Sequence, residues 1–125
     1  MLKLLSIALG GAGGALARYL LATRVHGLWG GPWPLGTLLV NVGGSLLIGV
    51  LFVLLQRQLL HPDWRSVLMV GFLGAFTTFS TFALETVELL EAGQPQQAAL
   101  YALASTLGCV LAAGSGIVLT RAVLA

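Results

Sequence analysis

Charge is scarce in this sequence. Lys, Arg, Asp and Glu make up 8% of its 125 residues, whereas soluble globular domains carry about 25%. With 58% hydrophobic residues and a mean hydropathy of +0.98, that scarcity excludes an ordinary soluble domain and indicates an integral membrane protein. Cysteine is almost absent: Cys109 stands alone in an apolar stretch, which rules out an internal disulfide and argues against a thiolate metal cluster. The 6 basic residues outnumber the 4 acids but are scattered singly. Without a basic stripe, no nucleic-acid partner is expected. Catalytic patterns are missing as well: there is no HExxH, no buried acid pair and no phosphate-binding glycine loop after a strand. The chain does not read as an enzyme.

What is present is apolar and long. Leu4 to Ala22, Leu35 to Leu55, Val67 to Leu90 and Ala98 to Val123 each suffice, at a rise of about 1.5 Å per residue, to cross about 30 Å of hydrocarbon. These blocks predict one all-α membrane domain over residues 1–125 with four transmembrane helices. The first block continues well beyond the small residues Gly10 to Ala15, which suits a spanning helix better than a cleaved signal segment. The connectors are short. His26 to Pro34 carries Trp29 and Trp33 among glycines and prolines, a composition suited to the headgroup level. Gln56 to Arg65 and Glu91 to Gln97 hold helix-stopping combinations. An even number of crossings puts both termini on one side, with Lys3, Arg57, Arg65 and Arg121 there and Arg24 opposite, joined by Arg18 if that residue, inside the first block, is counted. That modest bias favours cytoplasmic termini and also permits insertion both ways round.

Polar residues inside these blocks are costly and therefore informative. Gly10, Gly14 and Arg18 recur every four residues, giving either a close-packing seam with a snorkelling guanidinium or a cation at the base of a wet vestibule. Thr37, Asn41 and Ser45 make a polar stripe on the second block, suited to interhelical hydrogen bonding or to donating to an anion. In GFLGAFTTFSTFALE, Gly71 to Glu85, Phe79 and Phe82 share a helix face beside Thr78, Ser80 and Thr81. Phenyl rings carry positive edges, so they can pack against lipid or, with hydroxyl donors, replace part of an anion's water shell. Gly71 and Gly74 loosen that segment, and a break between Gly74 and Thr78 would free carbonyls suited to a hard cation. Tyr101, Ser105 and Cys109 line one face of the last block, with Gly108, Ala112 and Gly116 on a neighbouring one. Glu85, Glu88 and Glu91 read as a solvated edge where the third helix surfaces.

The strings GGAGGALARY (Gly10 to Tyr19), GTLLVNVGGS (Gly36 to Ser45) and GFLGAFTTFSTFALE (Gly71 to Glu85) resemble those of the Fluc/CrcB fluoride channels, and the likeness covers nearly the whole chain. The resemblance implies an antiparallel, dual-topology homodimer of four-helix subunits in the bacterial inner membrane, with a break in the third helix. It also implies two pores at the dimer interface that export fluoride passively. By position in the motifs, Phe79 and Phe82 resemble the pore phenylalanines, Asn41 the pore asparagine, and Ser80 and Thr81 the hydroxyls between the rings. Arg18 resembles the vestibule arginine, and Tyr101 and Ser105 a polar track on the last helix. The carbonyls of Gly74 and Thr77 correspond to those holding a structural, untransported sodium ion on the dimer axis. Cys109 departs from the pattern, standing where a hydroxyl residue is more typical.

These readings converge on an anion drawn in by Arg18, dehydrated, and passed among neutral donors that bind weakly enough to release it. A small drug or cation antiporter is the rival of another class. It needs a carboxylate at mid-membrane, and the only candidate, Glu85, lies toward a helix end. A scaffold protein whose glycine seams serve only packing is the remaining alternative.

Overall fold

In hydrocarbon a backbone must satisfy its own hydrogen bonds, so a chain this apolar is committed to helices or a closed barrel. The computed structural model covers residues 1–125 and is helical, without a strand. Its elements are α1 (Leu2–Trp29), α2 (Leu35–Gln56), a π-helical segment (Arg65–Leu73), α3 (Gly74–Phe76), α4 (Phe79–Glu91) and α5 (Pro95–Val123). Helices α1, α2 and α5 and the run Arg65–Glu91 are each long and apolar enough to span a bilayer. The four expected crossings are therefore present.

The ends follow local chemistry. Helix α1 continues past Ala22 through His26 to Trp29, so the connector expected from His26 begins only at Gly30. Nothing between Thr23 and Trp29 stops a helix; Gly30 does, adopting a left-handed conformation at φ 58° that side chains resist. Gly93 does the same at φ 71° after α4, and Pro95 starts α5, where its missing N–H costs nothing. At one end of the bundle the Trp33 indole donates to Gln97, joining the first connector to the first turn of α5. At the other, Arg57 donates to the carbonyl of Leu124 and Arg121 to Gln56, tying α2 to the C-terminus.

Close packing uses bare backbone. A Cβ on Gly10 would lie 2.2 Å from the Val67 carbonyl oxygen and one on Gly14 2.1 Å from that of Phe72, so α1 lies directly on the π-helical segment. Gly49 and Gly116 do the same between α2 and α5, where added Cβ atoms would meet the carbonyl oxygens of Ala113 at 2.2 Å and Leu46 at 2.3 Å. Without a hydrophobic force between helices in lipid, such contact is what holds them.

Only 18 of the 125 residues are buried, and large apolar side chains such as Leu9, Leu16, Leu103 and Val118 face outward, as a lipid solvent requires. The accessible surface is 7910 Å², against about 6,300 Å² for a compact soluble protein of this mass. The bundle is open. Val40, Leu73 and Phe76 form one small core and Leu89, Ala98 and Tyr101 another. The polar residues lie between and beside them.

Candidate functional site

The third crossing leaves helical geometry at Thr77 (φ −80°, ψ 154°) and Thr78 (φ −149°, ψ 117°), both extended, before α4 begins. Extended residues inside a membrane release backbone groups that need partners. Asn41, reaching across from α2, supplies them. Its Nδ2 donates to the Thr78 carbonyl at 2.9 Å, and its Oδ1 accepts the Thr78 N–H at 2.7 Å. An amide has two N–H donors, so one stays free after this bracket closes. The Thr78 hydroxyl then caps α4, accepting the Thr81 N–H at 3.2 Å and donating to Thr81 Oγ1 at 3.0 Å.

This arrangement diverts donors from two carbonyls. In a continuous helix the Thr78 N–H would serve Gly74 O and the Thr81 N–H would serve Thr77 O; here they go to Asn41 and to the Thr78 hydroxyl. The Gly74 and Thr77 carbonyls receive no backbone hydrogen bond, and carbonyl oxygens without donors are the ligands a hard cation takes. The two residues nominated for sodium fit such an ion. Gly44 makes room for the Thr77 side chain: a Cβ there would sit 2.4 Å from Thr77 Cγ2.

Gly74 and Thr77 line an open groove of about 390 Å³ on one face of the bundle, together with Asn41, Ser45, Phe79, Phe82 and, from α5, Ser105 and Cys109. Ser105 is 5% exposed, and its hydroxyl makes no hydrogen bond within 3.5 Å but lies near the Tyr101 hydroxyl one turn earlier. Phe79, exposed, and Phe82 lie 5.3 Å apart between ring centroids. The row continues through Tyr101 at 5.4 Å from Phe82 and Trp33 at 6.2 Å from Tyr101.

Sequence spacing did not foresee the environment of Glu85. Rather than a solvated edge, its carboxylate accepts the Thr37 hydroxyl and the Tyr101 hydroxyl, each at 2.7 Å, linking α2, α4 and α5. Glu88 and Glu91 are exposed, as an edge position implies. Spacing hinted at the network only through Thr37, which shares the Asn41 stripe. Of the nominated residues, the groove gathers Asn41, Gly74, Thr77, Phe79, Phe82 and Ser105. Ser80 and Thr81 flank the Thr78 hydroxyl at the start of α4, and Tyr101 stands behind Phe82. Arg18 lies apart from the groove on α1, half-buried and without a hydrogen bond or ion pair to another residue.

A four-crossing bundle with an open, largely apolar groove that holds a few neutral polar groups and phenyl rings, and without any cluster of metal-binding side chains, defines a multi-pass membrane protein. Residues 5–117 match the family model described as "CrcB-like protein, Camphor Resistance (CrcB)", and the chain belongs to that family. It is 50% identical over 121 residues to a protein of Methylococcus capsulatus, covering 96% of this chain and 53% of that protein, so the chain spans about half of that relative. A Hahella chejuensis protein is 48% identical over 122 residues, 97% of this chain and 96% of its own length. One from Magnetococcus marinus is 49% identical over 116 residues, covering 92% and 94%. All three are named fluoride-specific ion channel FluC. Membership of a family of ion channels, with four spans, makes this a multi-pass protein of the bacterial inner membrane and not an enzyme.

Proposed function

We propose that this chain is a fluoride-selective channel that lets the ion leave the cytoplasm down its gradient, working as an antiparallel, dual-topology homodimer with pores along the grooves where two copies meet. The observation that carries it is the Asn41–Thr78 bracket at the edge of the groove: it leaves one Asn41 N–H over and strips the Gly74 and Thr77 carbonyls of donors, beside the Phe79 and Phe82 rings that line the same groove. A buried donor without a partner is costly unless something visits it. Fluoride is small and the strongest hydrogen-bond acceptor among the halides. Neutral donors and phenyl edges repay part of its lost hydration without trapping it, whereas a fixed cation at the narrowest point would hold it. Homologues named fluoride-specific channels support the same ion.

In this reading residues 1–125 act as one channel domain. Arg18 raises the local anion concentration at the vestibule, Ser80 and Thr81 add hydroxyls along the route beside Asn41, Phe79, Phe82 and Ser105, and Tyr101, its hydroxyl held by Glu85, backs the Phe82 ring. A second copy covers the open groove face, which accounts for the excess of accessible surface over a compact protein. The donor-free carbonyls of Gly74 and Thr77, supplied from both copies, would hold a structural sodium ion. That ion would supply fixed positive charge and cross-link the copies. The antiporter alternative is disfavoured because the carboxylate of Glu85 is already engaged by Thr37 and Tyr101.

Fluoride efflux from liposomes carrying the purified protein tests this. The expected result is electrogenic fluoride loss with chloride retained, and a large loss of flux in Phe79→Ile, Phe82→Ile or both. Equal leakage of chloride, or fluoride-tight liposomes, overturns it. Drug-driven proton movement would instead mark an antiporter.

A further inference from the structure

Of the three tryptophans, Trp29 and Trp64 are half-exposed, as rings at the headgroup level are. Trp33 is turned inward instead. It stands between Pro32 and Pro34, and a residue that precedes proline is confined to extended backbone. Pro34 (φ −78°, ψ 68°) is the centre of an inverse γ-turn, closed by the Leu35 N–H on the Trp33 carbonyl at 2.8 Å. The connector therefore presents this indole from a stiff backbone. Its N–H donates to Gln97 in the first turn of α5, and its ring meets Tyr101, one turn further along the same face. That contact is edge-on, with centroids 6.2 Å apart and planes at 65°, a geometry aromatic pairs prefer.

Tyr101 is held on every count. It is wholly buried, its hydroxyl donates to Glu85, and its ring packs on both Trp33 and Phe82, the latter at 5.4 Å. Phe82 in turn stands 5.3 Å from Phe79, and both line the groove. Trp33 and Phe82 make no ring pair of their own, so Tyr101 is the link. Trp33 also lines a second cavity of about 340 Å³ at this end of the bundle, with His26, Glu85 and Glu88, and Tyr101 does not. The indole thus closes that side of the tyrosine. Without it, Tyr101 would be free to lean toward the cavity and let Phe82 follow.

We propose that Trp33 is a positioning residue of the conduction path, fixing the Phe82 ring through Tyr101 from outside the groove. The proposal rests on the channel reading above. An anion gains from a phenyl ring at its edge and is repelled at its face, so the gain lasts only while the ring keeps its angle. Trp33 touches no ion. It sets the angle that Phe82 holds.

Two measurements test this. In liposome efflux counted per folded molecule, Trp33→Leu should slow fluoride about two- to tenfold, the rate equivalent of one lost aromatic pair. Trp33→Phe, which restores a ring edge, should recover most of that rate, and Trp29→Leu should match the parent. The second measurement needs no flux. With Trp29→Phe and Trp64→Phe in place, Trp33 is the sole tryptophan. Adding Phe82→Ile should then shift its emission or its quenching by acrylamide, while Phe52→Ile, near the far end of α2, should leave both unchanged. A Trp33 that only steadies the fold would lower the melting temperature of Trp33→Leu and leave flux per folded molecule at the parent value, which overturns the proposal. So does a Trp33→Phe variant no faster than Trp33→Leu. Trp33 emission indifferent to Phe82→Ile overturns it as well, and decides the matter even where Trp33→Leu fails to fold. A parent that carries no fluoride sinks the channel reading itself, and this proposal with it.

Discussion

Asn41 closes a two-point bracket on the backbone of Thr78, donating to its carbonyl at 2.9 Å and accepting its N–H at 2.7 Å, across 37 positions of sequence. One side chain thereby satisfies both backbone groups of an extended residue at membrane depth, leaving the adjoining Gly74 and Thr77 carbonyls without donors.

Asn41→Ala should remove both bonds at once. Interhelical hydrogen bonds in membranes are worth about 0.6–2 kcal/mol each, so thermal unfolding in detergent should report a loss of roughly 1–4 kcal/mol, together with near-complete loss of fluoride flux. Asn41→Asp keeps the acceptor for the Thr78 N–H but, when ionised, has no donor for the carbonyl. Its stability should fall between the two. Ion-tight liposomes, with an Asn41→Ala variant as stable as the parent, would favour the scaffold reading.

The Thr78 hydroxyl caps α4 through the Thr81 N–H. Thr78→Val should cost about 1 kcal/mol, the usual worth of such a cap, and Thr78→Ser should restore it. Hydrogen exchange at the Thr81 amide checks this directly, since protection there should drop in the valine variant alone.

Glu85 accepts from Thr37 and Tyr101. Glu85→Gln should be mild, because a hydroxyl can turn to accept from the new NH2. Glu85→Leu leaves both hydroxyls without their acceptor and should cost about 1–3 kcal/mol for each that stays unpaired. Melting temperatures in the order parent, Gln, Leu support this; the reverse order does not.

Glycines in the bundle should divide sharply. Gly49→Ala brings a Cβ to 2.2 Å from the Ala113 carbonyl oxygen, so α2 and α5 must part, at a cost of about 1–3 kcal/mol or more. Gly43→Ala meets nothing within 4 Å and should stabilise α2 by about 0.5–1 kcal/mol through helix propensity alone. Parallel thermal melts of the two variants decide.

Replacing sodium with a large organic cation should lower both the melting temperature and the fluoride flux if the Gly74 and Thr77 carbonyls hold an ion. Identical melts in the two salts would dismiss the sodium site while leaving the channel reading standing.

The sequence alone determined the four spans, because hydropathy over about 20 residues is a local property that a membrane reads directly. It also determined which glycines share a face, since Gly10 and Gly14 are fixed one turn apart wherever the helix lies, and it brought Phe79 and Phe82 together for the same reason. It missed the length of α1, where His26 to Trp29 lacked any stop strong enough to end a helix already packed.

Only the tertiary structure decided which polar groups meet. That Asn41 reaches Thr78, that Glu85 joins Thr37 to Tyr101, and that the Ser105 hydroxyl makes no hydrogen bond all depend on the relative rotation and depth of separate helices. Those quantities are set by glycine contacts such as Gly49 on Ala113 and Gly14 on Phe72. A hydrogen bond requires heavy atoms within about 3.2 Å, and a turn of one helix by a single residue moves a side chain farther than that. Periodicity fixes the face of a helix, while packing against its neighbours fixes where that face points.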